Sequence, residues 1–247
     1  MLATILHTVL PDTFEIFYKV LDHGIGTKEL SRLAPGDRVQ MIGPLGKRFN
    51  VRDLRSCGVE EVHVIGGGVG MAPLVFLVQA LRFHAFNVKA FIGIESLDLL
   101  SYRDDLASSY SEASRDARIY VDDLLAAGLD PEDVFVSSNR QEAPPGGLPH
   151  GNFSVGLVSE QYEAYLAERQ PLSAVAAFTC GPMPMMEAVN RITQRYGITL
   201  RVLMEKRMAC GIGVCLSCVC KTKTGVSHYA RVCTDGPIFE ASEIAWK

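Results

Sequence analysis

The sharpest chemical signature lies in the last forty or so residues, where Cys210, Cys215, Cys218, Cys220 and Cys233 gather five of the chain's seven cysteines. Cys210, Cys215 and Cys218 follow a C-x4-C-x2-C spacing, and fourteen residues separate Cys218 from Cys233. One loop that supplies three thiolates, with a later strand supplying the fourth, is the arrangement that wraps a [2Fe-2S] cluster. Gly211 and Gly213 serve that purpose, because backbone N–H groups must come close to the inorganic sulfides and side chains would hold them off. The alternative is structural zinc on four cysteines, but such sites usually present two short paired knuckles. Cys220 is left over and reads as a small buried hydrophobe, although it is close enough to Cys218 to compete for a place in the ligand set.

Two glycine-bearing turns form the next layer. Gly66, Gly67, Gly68 and Gly70 stand between an apolar strand and an apolar helix that opens Met71-Ala72-Pro73. A helix start offers free N–H groups and a positive dipole end, which suits the diphosphate of a dinucleotide. Thr179-Cys180-Gly181-Pro182 again follows an apolar strand and opens a helix, with Pro182 or Pro184 fitting its first turn. Gly181 there lets a ligand ring lie against the backbone. With both turns at the carboxyl end of one sheet, Cys180, Gly181 and Pro182 become a candidate nicotinamide contact. The competing reading of each motif is a plain tight turn, the second with a buried cysteine.

No nucleophile, base and orienting group can be assembled from the remaining residues. The six histidines have no partners at metal spacing, and His63 reads as a packed or half-exposed strand residue. That suits a redox carrier, in which cofactors do the hard chemistry. The chain has 24 Lys and Arg against 28 Asp and Glu, a formal charge of −4 without long runs of either sign, which argues against nucleic acid. Its longest uncharged stretch, residues 64–81, is broken by Gly66, Gly67, Gly68, Gly70 and Pro73, so no membrane span is expected. Residues 1–6 lack a basic region and a cleavage site, and the expected compartment is the cytoplasm.

What must position these residues is a globular chain of 247 residues, 48% apolar and 21% charged, enough for one large or two modest domains. The pattern predicts strands over 14–20 and 38–42, with Thr27 capping a short helix through residue 33. These read as a piece of a small antiparallel barrel with too few strands to close. From residue 61 the rhythm changes. Strands over 62–65, 88–94, 134–136 and 174–179 alternate with helices over 72–83, 101–114, 159–169 and 183–196, the pattern of a doubly wound parallel α/β domain. Residues 139–151 form a Pro- and Gly-rich surface loop, and no internal repeat is present.

Taken together, the order of the motifs resembles the ferredoxin–NADP reductase superfamily, and within it the electron-transfer subunits of type B dihydroorotate dehydrogenases. The resemblance runs from about Asp12 to the C-terminus and is most specific over residues 208–221 and 232–239, which look like that family's cluster signatures. It implies three regions: a partial FAD-binding barrel over 1–50, an NAD-binding α/β domain over 51–200 and a small [2Fe-2S] domain over 201–247. It also implies the cluster ligands Cys210, Cys215, Cys218 and Cys233, and flavin contacts at Tyr18, Lys19, Val20, Gly26 and Thr27. Lys19 stands where an arginine is usual. The family's Arg-Pro-x-Ser flavin motif would fall just before Ile5, where this chain has Leu2-Ala3-Thr4 after Met1, so the barrel's first strands are expected to be missing.

The resemblance further implies a catalytic, FMN-containing dihydroorotate dehydrogenase subunit as partner, in a heterotetramer, and a role in pyrimidine synthesis. NAD is the expected nicotinamide cofactor. NADP is the alternative, because Ser137-Ser138-Asn139-Arg140 replaces the acidic residues frequent there, while Glu95 lies where a ribose contact would be. Related flavin and iron–sulfur subunits of a ferredoxin–NADP oxidoreductase or a hydrogenase-type complex, and a flavin-free iron–sulfur protein, are the rival readings.

Overall fold

A strand buried on both faces sends alternate side chains to opposite sides, and β3 (Glu61–Gly67) does this through the middle of the molecule. Val62 and Val64 join one hydrophobic core and Ile65 joins the other. The computed structural model describes residues 4–7, 15–18, 20, 22–95, 121–140, 152–169, 174–223 and 228–246. Among these, β4 (Asn87–Ile94), β5 (Val134–Ser138), β6 (Asn152–Val155), β7 (Val175–Cys180), β8 (Thr199–Leu203) and β11 (Ile238–Glu240) complete a seven-stranded sheet with β3. Its order is β11-β8-β7-β3-β4-β5-β6, and every pair is parallel except β11 against β8.

Two layers of helix cover the sheet. On one face lie α2 (Val51–Ser56), α3 (Met71–Phe83) and α4, residues 121–126; on the other lie α5 (Val158–Glu168) and α6 (Met183–Arg195). In α6 the buried Met186, Val189, Asn190 and Thr193 recur at helical spacing and form one inward stripe. Helix α3 buries residues on nearly all sides, because β1 (Thr4–His7) runs along it. Strand β1 pairs antiparallel with β2 (Glu15–Phe17). The doubly wound reading therefore stands as a mixed α/β fold around a parallel sheet. The helix expected over 101–114 and most of the loop over 139–151 lie outside the described residues.

Two expectations, the strand over 38–42 and the Thr27 cap, change. Residues 38–42 form no strand; they run as irregular, exposed chain, since no described strand lies beside them to take their backbone hydrogen bonds. Of the barrel, the described residues contain only the β1–β2 pair, followed by α1 (Ile25–Leu30). Thr27 does not cap α1. Gly24 is the capping residue, and Thr27 lies inside the helix, buried, with its hydroxyl donating to the Gly24 carbonyl at 3.4 Å. A boundary at residue 200 cuts through β8, and β11 returns from the cysteine-rich region to pair with it. The first three residues, on which the expected loss of barrel strands rests, lie outside the described residues.

Candidate nucleotide site and cluster loop

The chain runs outward from β3 through β4 and β5 to β6, then returns to start again at β7 on the other side of β3. The carboxyl ends of β3 and β7 therefore flank the point where strand order reverses, the place where open α/β sheets bind ligands. Both glycine turns sit there. Strand β3 ends at Gly67, a 3-10 turn spans Gly68–Gly70, and α3 follows, with Pro73 in its first turn where the missing N–H costs nothing. Beside it, β7 ends at Cys180, and α6 begins with Pro182 as its cap and Pro184 in its first turn.

The glycines divide by what surrounds them. A Cβ on Gly66 would lie 2.5 Å from Met71 Sδ, one on Gly67 2.6 Å from Met185 Sδ, and one on Gly70 2.6 Å from the Cys180 carbonyl oxygen. Gly181, at φ +153°, would press a Cβ to 3.0 Å from the Gly67 nitrogen. Gly70 and Gly181 let the two turns pack backbone against backbone, while Gly66 and Gly67 make room for Met71 and Met185, so Gly181 is spent on that contact rather than left open for a ligand ring. Gly68 differs: its φ is +52°, and a Cβ there meets nothing within 4 Å. It is the glycine of the turn that faces open space. Cys180 is buried in the core, where desolvation and the nearby Glu205 carboxylate push its thiol up to about 12, so the thiol stays protonated and away from the surface.

At the outer strands the same edge carries an arrangement that sequence reasoning did not supply. Glu95, just past β4, forms an ion pair with Arg140, just past β5. Ser137, fully buried, donates to Gln161 Oε1 at 2.6 Å and lies 3.2 Å from the Ser154 hydroxyl, fixing the end of β5. The signal for the pair is that β4 and β5 are neighbours, which only the sheet order reveals.

The cysteine loop is turned by Gly211 at φ +71°, Gly213 at φ +81° and Leu216 at φ +58°. This winding points successive backbone N–H groups inward. Those of Ile212, Val214 and Cys215 face Cys210 Sγ, the last at 3.4 Å, while that of Gly213 faces Cys233 Sγ. The donors, led by Cys215 N–H, bring the Cys210 thiol down to about 6. Cys210 lies with Cys215, and Cys218 with Cys233, whose thiol is held above its ordinary value by the hydrogen bond with Cys218 and by burial. Among the described residues no three His, Cys, Asp or Glu side chains converge as a preformed metal cage. Two sulfur pairs ringed by N–H donors fit a cluster of two irons, each of which takes two protein ligands. Cys220 lies in β9 (Val219–Lys221), buried, and desolvation raises its thiol, as expected of a core residue.

Around this loop, β9 pairs antiparallel with β10 (Tyr229–Arg231), and Arg231 grips Asp235 through Nε and Nη2, both at 3.0 Å. That guanidinium holds the Asp235 carboxyl below the usual range. Of the flavin candidates, Tyr18 is half-buried, Val20 and Gly26 are exposed and Thr27 is buried, while Lys19 lies outside the described residues. His63 is fully buried, 3.0 Å from the Tyr162 hydroxyl and 2.7 Å from Glu61 Oε1, as a packed strand residue should be.

Residues 205–245 match the family model described as the iron-sulfur cluster binding domain of dihydroorotate dehydrogenase B. The chain is 31% identical over 223 residues to the dihydroorotate dehydrogenase B (NAD(+)) electron transfer subunit of Clostridium perfringens, covering 90% of this chain and 72% of that protein. Its identity to the protein of the same name from Clostridium acetobutylicum is 32%, over 90% of this chain and 70% of the relative. For the Bacillus velezensis relative it is 30%, over 95% and 75%. A solved NADH-dependent reduced ferredoxin-NADP oxidoreductase superposes with a TM-score of 0.65 at 23% identity, covering 94% of this chain and 69% of that one, so the two share a fold. The cysteine spacing, the paired glycine turns and this similarity along nine-tenths of the chain make it a member of the family of dihydroorotate dehydrogenase B electron transfer subunits.

Proposed function

We propose that this chain passes electrons from a catalytic partner subunit, which oxidises dihydroorotate to orotate on its own FMN, to NAD+ in pyrimidine synthesis. A bound flavin exchanges two electrons with a nicotinamide and releases them singly, while a [2Fe-2S] cluster carries one at a time. The chain's part is to hold these groups in series and dry enough to react. Cys210, Cys215, Cys218 and Cys233 would hold the cluster, with the Cys215 N–H donating to Cys210 Sγ. The observation that carries this reading is the C-x4-C-x2-C loop itself, turned by Gly211, Gly213 and Leu216 at positive φ so that the Cys215 N–H donates to Cys210 Sγ at 3.4 Å.

Gly68 and the start of α3, with Pro73, receive the diphosphate of NAD, and Gly66, Gly67, Gly70, Gly181 and Pro182 shape the crevice from behind. Cys180 acts through its backbone. The ion pair of Glu95 with Arg140 supports NAD over NADP, because it occupies the cation that a 2′-phosphate would need. Tyr18, Lys19, Val20, Gly26 and Thr27 are assigned to FAD. The three regions 1–50, 51–200 and 201–247 are a functional division, the last two of which share the seven-stranded sheet through β8 and β11.

The exposed Met208, Ile212, Val214 and Leu216 around the first cysteine pair suit a surface that docks the catalytic subunit, giving a heterotetramer. No helix among the described residues is long and apolar enough to cross a membrane. Free thiols held for a cluster suit the reducing cytoplasm. The test is Cys215→Ser in the assembled complex, with iron, sulfide, zinc and released flavin counted. Transfer to NAD+ should vanish while the partner still oxidises dihydroorotate with an artificial acceptor. Surviving transfer, or zinc in place of iron and sulfide in the unaltered chain, would sink the reading.

A further inference from the structure

Gly213 is the crossing point of the cysteine region. Its N–H faces Cys233 Sγ, and its carbonyl accepts from Arg231 Nη1 at 3.4 Å. The position a Cβ would occupy lies 3.0 Å from Thr234 Cγ2 and 3.1 Å from Thr234 Oγ1. The Thr234 hydroxyl is therefore pressed against the glycine that separates Cys210 from Cys215, next in sequence to Cys233. It is buried and has no hydrogen-bond partner among the described residues. A buried hydroxyl left unanswered is costly, and native proteins keep one where a water, an ion or a bound group completes it.

Nearby protein groups are already committed. Arg231 Nε and Nη2 lie on Asp235, whose Oδ2 also accepts from the Arg231 backbone N–H at 2.8 Å. The Thr234 N–H bonds the Arg231 carbonyl at 3.3 Å, so a tight turn fixes where the side chain emerges. The hydroxyl is thus left without a partner among the described residues, against the glycine of the loop that carries Cys210 and Cys215.

We propose that Thr234 is a positioning residue for the cluster, its hydroxyl donating a hydrogen bond to a cluster sulfur and raising the reduction potential. The proposal rests on the reading of Cys210, Cys215, Cys218 and Cys233 as the cluster ligands. Reduction places one more negative charge on a unit whose charge is carried largely by sulfur, so a donor there stabilises the reduced form more than the oxidised. The Arg231–Asp235 pair contributes little net charge, which leaves the hydroxyl as a neutral tuning group.

The experiment is a potentiometric titration, followed by electron paramagnetic resonance, of the full chain as wild type, Thr234→Val, Thr234→Ala and Thr234→Ser, with iron and sulfide counted in each. Loss of the hydroxyl should lower the reduced-to-oxidised ratio at a fixed potential by about tenfold, equivalent to about 59 mV for one electron. Thr234→Ser should stay near wild type. Thr234→Ala keeps the comparison open should the valine side chain disturb the cluster. An unchanged potential in a cluster-loaded Val or Ala variant overturns the proposal, as does a serine variant that behaves like alanine. A wild-type chain without iron and sulfide removes the ligand assignment together with it, whereas an intact cluster of unshifted potential removes this proposal alone.

Discussion

Replacing Gly70 and Gly68 one at a time by alanine separates the structural from the ligand-facing part of the nucleotide turn. Gly70 has an ordinary helical φ of −64°, so alanine meets no conformational penalty there, only space. Its Cβ would stand 2.6 Å from the Cys180 carbonyl oxygen and 2.7 Å from Gly181 Cα, about 0.8 Å inside ordinary contact with backbone that no rotamer change can move. Overpacking of this kind costs about 1–3 kcal/mol, and the upper end applies because both partners are main chain. At about 2–4 °C per kcal/mol for a chain of this size, Gly70→Ala should lose about 6–12 °C in Tm. Gly68→Ala faces the opposite situation, open space but φ +52°, a left-handed conformation that costs about 1–2 kcal/mol. Its Tm should fall by about 2–8 °C, while its Cβ projects where the diphosphate must approach and weakens NADH binding by about tenfold or more. Thermal unfolding and calorimetric titration of NADH into the flavin- and cluster-loaded chain read both quantities. If Gly70→Ala melts like wild type, or Gly68→Ala binds NADH unchanged, the division of the glycines is wrong.

Two more perturbations test other parts of the molecule. Glu95→Gln should release Arg140 for a 2′-phosphate, raising kcat/KM for NADP+ by about tenfold, the worth of one charge-assisted hydrogen bond. The gain should disappear when Arg140→Ala is added, and steady-state kinetics of the complex with both nucleotides decide it; an NADP+ value that does not move refutes the ion pair as a selector. Burial holds the His63 imidazole below its ordinary 6.5, so the unfolded chain takes up a proton that the native one refuses. Stability should therefore be complete above pH 6.5 and fall at up to about 1.4 kcal/mol per pH unit below it. Glu61, lowered chiefly by its hydrogen bond with His63, adds to the loss only below pH 4.5. Denaturant unfolding between pH 8 and 5 should show this slope in wild type and not in His63→Gln; equal slopes would refute it.

The parallel sheet was legible because strands such as β3 and β4, covered on both faces, are nearly continuous apolar runs closed by glycine or polar turns. The cysteine loop was legible for a different reason, since metal-ligand spacing is local in the chain. Contacts made between distant segments were not. Nothing in Gly181 announces that it yields to Gly67, and nothing in Glu95 and Arg140 announces a pair, because both facts depend on β3 neighbouring β7 and β4 neighbouring β5. Residues 38–42 mislead for a related reason. Val39 and Met41 alternate like a strand, yet a strand requires a neighbour, and the described residues supply none; their side chains, with Ile42's, stay exposed.

The turn at Gly236 and Pro237 explains how one chain can serve three cofactors. The Met204 N–H, just past β8, donates to the Pro237 carbonyl at 2.8 Å, and the Lys47 N–H donates to that of Gly236 at 2.5 Å. Gly46, at φ +72°, lies so close that a Cβ would stand 2.4 Å from the Gly236 oxygen, while Leu45 packs over Gly211 in the cysteine loop. Phe49 meets Phe178 of β7 edge to face at 6.0 Å. The segment proposed for flavin, the strands that carry the glycine turns and the cysteine loop are thus fastened to each other. A carrier that must hand electrons between three groups needs their separations fixed more than it needs any single catalytic side chain. Here the backbone supplies that constraint, which is why the glycines and turn residues, rather than acids and bases, are where substitutions should be felt.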